Sequence, residues 1–239
     1  MAGFFSKLVK IMSSKKYSKN PEGSVLTSAQ QRALNIGAIN AEQTMYYCDS
    51  LETGCDKNEI RESLSNYYGI DDRESALETL SWLSNRGHRV YYEAIKQFSS
   101  GITSSIDDSI LQEAEKPNTY GYINHLKETF DVLQKKGYIY DKADFNTCSI
   151  VGWDMGRLVL VTRCCYECEY ITKEEAWSYI NFAYKECQAS YNDWKEFATG
   201  YIIGRCMWGG ENMALGGIME IANDLVHDEE SPWSKVPLN

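Results

Sequence analysis

The chain places its four prolines at positions 21, 117, 232 and 237, so residues 118–231 run without one. Proline is the residue that most strongly interrupts a helix, and its absence leaves this stretch free to be helical throughout. The apolar spacing uses that freedom. Ile123, Leu126, Phe130 and Leu133 recur every three or four residues between Tyr120 and Lys136, and Gly137 closes the run. Residues 150–168, 172–189, 193–208 and 211–226 each read as a helix, separated by Glu169-Tyr170-Ile171, by Ser190-Tyr191-Asn192 and by Gly209-Gly210. Thr172 with Glu175 spells a capping box, and Asn192 or Asp193 caps the next helix.

The same signals mark the first half. Thr27 with Gln30 opens a helix expected to continue to about Asp49. Ile60, Leu64 and Tyr67 or Tyr68 define a second over 57–67, ended by Gly69. Asp71 or Asp72 caps a third over 73–85, stopped at Gly87, and Val90, Tyr91, Ala94, Ile95 and Phe98 give a fourth. Residues 99–105 read as a linker and 138–149 as loop. Short connections favour antiparallel neighbours, and no hairpin dipeptide sits between alternating strands. The prediction is an all-α, multi-helix bundle of about nine helices without substantial sheet. It comprises a basic leader over 1–23, a helical domain over 24–226 in two halves (24–98 and 119–226), and a flexible tail over 227–239.

Charge narrows the partners. With 24 basic against 34 acidic residues the net charge is −10, which repels nucleic-acid backbones and anionic lipid. Five lysines and no acid lie in the first nineteen residues, leaving 19 basic against 34 acidic residues, net −15, in the rest. Phe4, Phe5, Leu8, Val9, Ile11 and Met12 put an apolar side on that leader, so membrane contact is expected only through residues 4–16. Lys7 and Lys10 break the apolar run before it reaches the length a secretory signal needs, and no stretch is long enough to span a bilayer. A soluble cytoplasmic protein is expected. Its eight cysteines then read as free thiols. The cluster Cys164-Cys165-Tyr166-Glu167-Cys168 lacks a second ligand pair at suitable spacing, so no metal is expected there.

The three histidines, His88, His125 and His227, sit in no nucleophile motif, and no phosphate-binding glycine loop occurs, so neither catalytic residues nor a cofactor is assigned. His88 follows a helix-ending glycine and reads as a cap. More informative is Gly152-Trp153-Asp154-Met155-Gly156-Arg157: on a helix, Arg157 can lie against the Trp153 indole and pair with Asp154. Trp194, Phe197, Tyr201, Arg205 and Trp208, spaced 3, 4, 4 and 3, make a second line of four aromatics and one arginine. An arginine on a core face needs an acceptor, and Asp154 and Glu175 are the candidates. Two readings stand: a buried ion pair that fixes how helices dock, or a pocket in which Arg157 and Arg205 hold an anionic ligand or a partner's carboxylate.

The ordered motifs Leu26-Thr27-x-x-Gln30-x-x-Ala33-Leu34, Tyr68-Gly69-Ile70-x-Asp72-Arg73-x-x-Ala76-Leu77-x-x-Leu80-x-Trp82-Leu83, Gly87-His88-Arg89, Gly152-Trp153-Asp154-x-Gly156-Arg157, Glu175-Ala176-Trp177 and Ser190-x-x-x-Trp194-x-x-Phe197-x-x-x-Tyr201-x-x-Gly204-Arg205-x-x-Trp208 together resemble the bacterial DUF1266 domain over residues 24–210. The resemblance implies a helical, cytosolic protein with no assigned catalytic residues, and the cysteines at 164, 165 and 168 depart from its pattern.

From the charge, the lack of a catalytic constellation and the 17 tyrosines, the expected function is non-enzymatic binding of a basic protein partner, as an immunity or regulatory protein binds a toxin. The alternative is an enzyme or small-ligand binder whose pocket is lined by Trp153, Asp154, Arg157, Trp177, Trp194 and Arg205. A filled core around Arg157 favours the first; a wet cleft of at least ~300 Å³ there favours the second.

Overall fold

A computed structural model describes residues 16–239. The amphipathic stretch expected over 4–12 lies outside the described residues. Every element here is helical: α1 (Ser28–Leu34), a 3₁₀ turn (Asn35–Gly37), α2 (Ala38–Thr44), α3 (Lys57–Tyr68), α4 (Arg73–Asn85), α5 (Arg89–Ser99), α6 (Thr119–Lys135), α7 (Asp144–Thr147), α8 (Val151–Glu167), α9 (Lys173–Ser190), α10 (Trp194–Gly209), α11 (Met213–His227) and α12 (Pro232–Lys235), with 3₁₀ turns at Asp108–Ile110 and Lys116–Asn118. No strand occurs among the described residues. The expected caps are in place: Thr27 and Gln30 at α1, Asp72 at α4, Thr172 and Glu175 at α9, Asp193 at α10.

Helix α8 is the axis of the fold. It buries side chains around its whole circumference, from Trp153, Asp154 and Met155 through Leu158, Val159 and Val161 to Arg163, Cys164 and Cys165, as a helix enclosed by others must. Helices α2, α3, α4, α9 and α10 pack on it, and α6 and α11 pack in turn on α10. Buried Arg163 shapes one flank. Its guanidinium donates to the carbonyl oxygens of Tyr47 (2.7 Å), Ser50 (2.9 Å), Leu51 (3.1 Å) and Glu52 (2.8 Å), and so organises the irregular chain between α2 and α3. Backbone carbonyls there have no helical partner, and the one arginine satisfies four of them.

The structure departs from several expectations. The first helix does not run to Asp49: it tightens into the 3₁₀ turn at Asn35–Gly37 and stops where Met45 adopts a left-handed conformation (φ 59°). At this point the Asn35 side chain accepts from Gln31 Nε2 (2.8 Å) and donates to the Pro232 carbonyl (2.9 Å). The end of the leader is pinned, since Tyr17 is buried and Lys16 pairs with Asp224 at 2.9 Å. Nor are residues 227–239 a flexible tail. Trp233 is 2 % exposed and stacks on Trp194 at 4.9 Å, and Leu238 is 1 % exposed. The segment expected as loop at 138–149 carries the one-turn helix α7, which buries Phe145.

All eight cysteines are free thiols, and Cys48, Cys164, Cys165, Cys168, Cys187 and Cys206 are buried. Burial pushes Cys164 and Cys206 up to about 12 and Cys48 to about 11, so the reactive thiolate is scarce at these sites near neutral pH. Iodoacetamide at pH 8 should therefore add to Cys55 and Cys148 first and leave these six thiols intact, whereas denaturant should release all eight. Rapid native labelling at Cys164, read by peptide mass spectrometry, would contradict this packing.

Candidate functional site

Arg86, Gly87 and His88 separate α4 from α5, and α5 begins without a cap of its own. Asp154, fully buried on α8, supplies it from across the fold. Its Oδ1 accepts from the His88 amide (2.8 Å), and its Oδ2 accepts from the Arg89 amide (2.9 Å) and from Arg89 Nη1 (3.2 Å). A carboxylate at a helix N-terminus satisfies free amides and meets the positive end of the helix dipole. The approach is so close that a Cβ at Gly87, which has φ +63°, would overlap the carboxylate. Asp154 therefore builds the structure and does not pair with Arg157.

Arg157, one turn further along α8, turns outward. Its Nη1 contacts His88 Nδ1 at 2.8 Å, and its guanidinium lies 5.1 Å from the Trp153 ring centroid and 5.8 Å from that of Tyr68. A guanidinium can only donate, so His88 Nδ1 accepts and the imidazole is neutral. The 3.7 Å separation of Nδ1 from Asp154 Oδ1 is accordingly no hydrogen bond. Burial also pushes the His88 pKa down, reinforced by the Arg157 charge, against the opposing pull of Asp154. The partners of Arg157 are thus neutral, and the charge faces a groove of about 370 Å³ lined by Tyr67, Tyr68, Glu78, Thr79, Trp82 and Leu83.

Behind the groove, rings and guanidiniums continue as a belt. Trp82 meets His88 edge-on at 5.1 Å, His88 lies 6.1 Å from Tyr122, and Tyr122 lies 6.5 Å from His125, whose Nδ1 contacts the Met207 carbonyl at 2.9 Å. On the other side Trp153 lies 5.2 Å from buried Tyr201 and 5.7 Å from Trp208, and the Trp208 ring is 5.4 Å from the Arg205 guanidinium. The structure therefore brings Trp153, Arg157, Tyr201, Arg205 and Trp208 together.

It does not bring in Glu175, Trp177 or Trp194. Glu175 faces solvent, bonded to Arg73 at 2.7 and 2.9 Å and held down to about 2 by that arginine first and by the Thr172 amide second. Trp177 packs half-buried on α9. Trp194 belongs to the closing segment, donating from Nε1 to the Val236 carbonyl at 2.8 Å. Tyr68, Trp82, His88, Tyr122 and His125 are not identified as site residues from sequence, although Tyr68, Trp82 and His88 lie in the ordered motifs; His88 starts a helix as well as ending one. Among the described residues no group of three or more His, Cys, Asp or Glu is arranged to hold a metal ion.

A sequence-family model described as a protein of unknown function, DUF1266, matches residues 63–238, which is more than half of the chain. The chain belongs to the DUF1266 family. The match takes in every residue of the groove and belt, as well as the closing segment around Trp233. No curated protein and no solved structure matches the chain. Among the described residues of this DUF1266 chain, no helix is long and apolar enough to cross a membrane.

Proposed function

We propose that the protein is a non-enzymatic binding module that recognises a partner through the Arg157 groove. The observation carrying this reading is a half-buried guanidinium whose partners are all neutral, set in a groove framed by Tyr67, Tyr68 and Trp82. Such an arginine offers bidentate hydrogen bonds to a carboxylate, and the flanking rings offer faces for an attached apolar group. The acidic chain, net −10, draws in a partner that is basic overall. The two features combine if a basic protein inserts a C-terminal aromatic residue, which carries the carboxylate beside its ring. A non-enzymatic role is supported by His88, whose Nδ1 is taken by Arg157, and by the buried thiols.

The size of the groove favours a second reading, a small carboxylic acid as ligand, because about 370 Å³ falls within the range of small-molecule sites. A cleft rather than a filled core beside Arg157 is the feature that supports a small-ligand binder over a protein-binding module.

N-acetyl-phenylalanine and its amide are suitable probes, followed by the indole resonances of Trp82 and Trp153. The acid should bind saturably, the amide about tenfold more weakly, since a hydrogen bond to a charged group contributes ~1.5–3 kcal/mol. Arg157→Met should abolish the difference while shifting Tm by less than about 4 °C. Equal binding of acid and amide, or a large fall in Tm, would return Arg157 to a structural role.

A further inference from the structure

At the far end of the belt α10 turns into α11, and this corner gathers hydrogen-bond donors. Arg205 is 5 % exposed, and Trp208 covers it while remaining 44 % exposed itself. Its Nη2 donates to Asn212 Oδ1 at 3.0 Å, whereas its Nη1 is buried without an acceptor. The same Asn212 oxygen caps α11 by accepting from the Ala214 amide at 3.0 Å. The next donor, the Met213 amide, is the first of the helix and has no acceptor within it. Helix α11 carries no acid in its first turn. A buried cation therefore stands against the positive end of a 15-residue helix. Glu128, whose carboxylate faces Gly210 from α6, and Glu211 stand nearby without pairing with Arg205. Gly209 permits the arrangement, since a Cβ there would overlap Arg205 Nη1.

We propose that this corner is a carboxylate-binding site in which Arg205 Nη1 and the Met213 amide each donate to one carboxylate oxygen, with Trp208 swinging aside to admit the ligand. A planar, singly charged group fits better than a phosphate dianion, because two donors match two oxygens and the surrounding body is strongly acidic. The carboxylate is that of a free small acid or of an acidic side chain on a partner. The site shares no residue with the Arg157 groove, so it stands or falls separately.

The test is a titration of the full chain followed at the Met213 and Ala214 amides and the Trp208 indole by NMR. Sodium acetate represents the free acid and N-acetyl-glutamate N-methylamide the chain-borne one, with inorganic phosphate and chloride at matched ionic strength. A saturable shift of all three signals with either carboxylate is expected, and whichever binds more tightly identifies the source. Arg205→Met should remove the response. Met213→Pro is the safer variant, because proline is favoured at the first helical position and Asn212 already has the extended backbone (φ −154°, ψ 171°) that precedes proline. It deletes one donor and should weaken binding about five- to tenfold with the fold intact. Arg157→Met should leave the response unchanged. A response equal for chloride or phosphate, none with either carboxylate, one that survives Met213→Pro at full strength, or one lost with Arg157 would overturn the proposal.

Discussion

Asp154→Asn should lower stability by about 3–5 kcal/mol, because it leaves a buried charge without its counterpart. The carboxylate is fully buried and receives three donors: two consecutive backbone amides and the Arg89 guanidinium. Asparagine keeps the shape but offers a single oxygen, and its amide hydrogens would point at one of the N–H groups that the carboxylate now accepts. Arg89 would remain anchored to the Leu83 and Ser84 carbonyls with its anion gone. A chain of this length responds with a fall in Tm on the order of 10 °C, measurable by calorimetry. Hydrogen exchange locates the damage, since the His88 and Arg89 amides should lose protection before those of α9. An Asp154→Asn, Arg89→Met double variant should recover part of the loss, because the unpaired cation is removed together with its partner. A single variant within about 1 kcal/mol of the parent would show that Asp154 does not hold α4, α5 and α8 together.

This residue also shows where sequence reading stops. The helix ends were legible because caps are local: Thr27 with Gln30, Thr172 with Glu175 and Asp193 act within three residues, and each cap formed as spelled. Trp153, Arg157, Arg205 and Trp208 were legible as a group because helical spacing put them on shared faces. The partners of the charges were not legible. Asp154 and Arg157 are near neighbours on one helix, but a buried carboxylate takes the richest set of donors within reach, and that set lies 65 and 66 residues away at the start of α5. Helical spacing offers Glu175 as an acceptor for a core arginine, although its capping role fixes it at the surface, where Arg73 reaches it. His88 was assigned to the helix it ends, and the structure shows it governed by the helix it begins. These are consequences of tertiary docking, which spacing along one helix does not encode.

Removing residues 228–239 should be as damaging as opening the core elsewhere, although the segment looks from its sequence like an ending that could be discarded. Ser231 caps the short helix α12 by accepting from the Ser234 amide, Pro232 occupies the favoured first position, and Trp233 faces inward. The indole stacks on Trp194 with ring planes 1° apart, meets Phe197 edge-on at 5.5 Å, and donates from Nε1 to the Asn35 carbonyl at 2.8 Å. Asn35 returns the contact by donating to the Pro232 carbonyl at 2.9 Å, so the closing segment is bonded to the 3₁₀ turn where the first helix changes direction. Val236 and Leu238 add acceptors for Trp194 and Tyr184. Trp233→Ala removes a fully enclosed ring and one hydrogen bond, and should lower stability by about 3–5 kcal/mol, as large-to-alanine changes at well-packed aromatic sites do. The truncation goes further, because it also bares Trp194 and Phe197 on α10 and frees the Asn35 side chain. It should yield a protein that unfolds without a sharp transition or aggregates on expression. The Trp233→Phe variant, which keeps most of the ring and loses only the bond to Asn35, should cost about 1–2 kcal/mol and separates packing from hydrogen bonding. A truncated protein that melts within a few degrees of the full chain would show that α10 is covered without this segment.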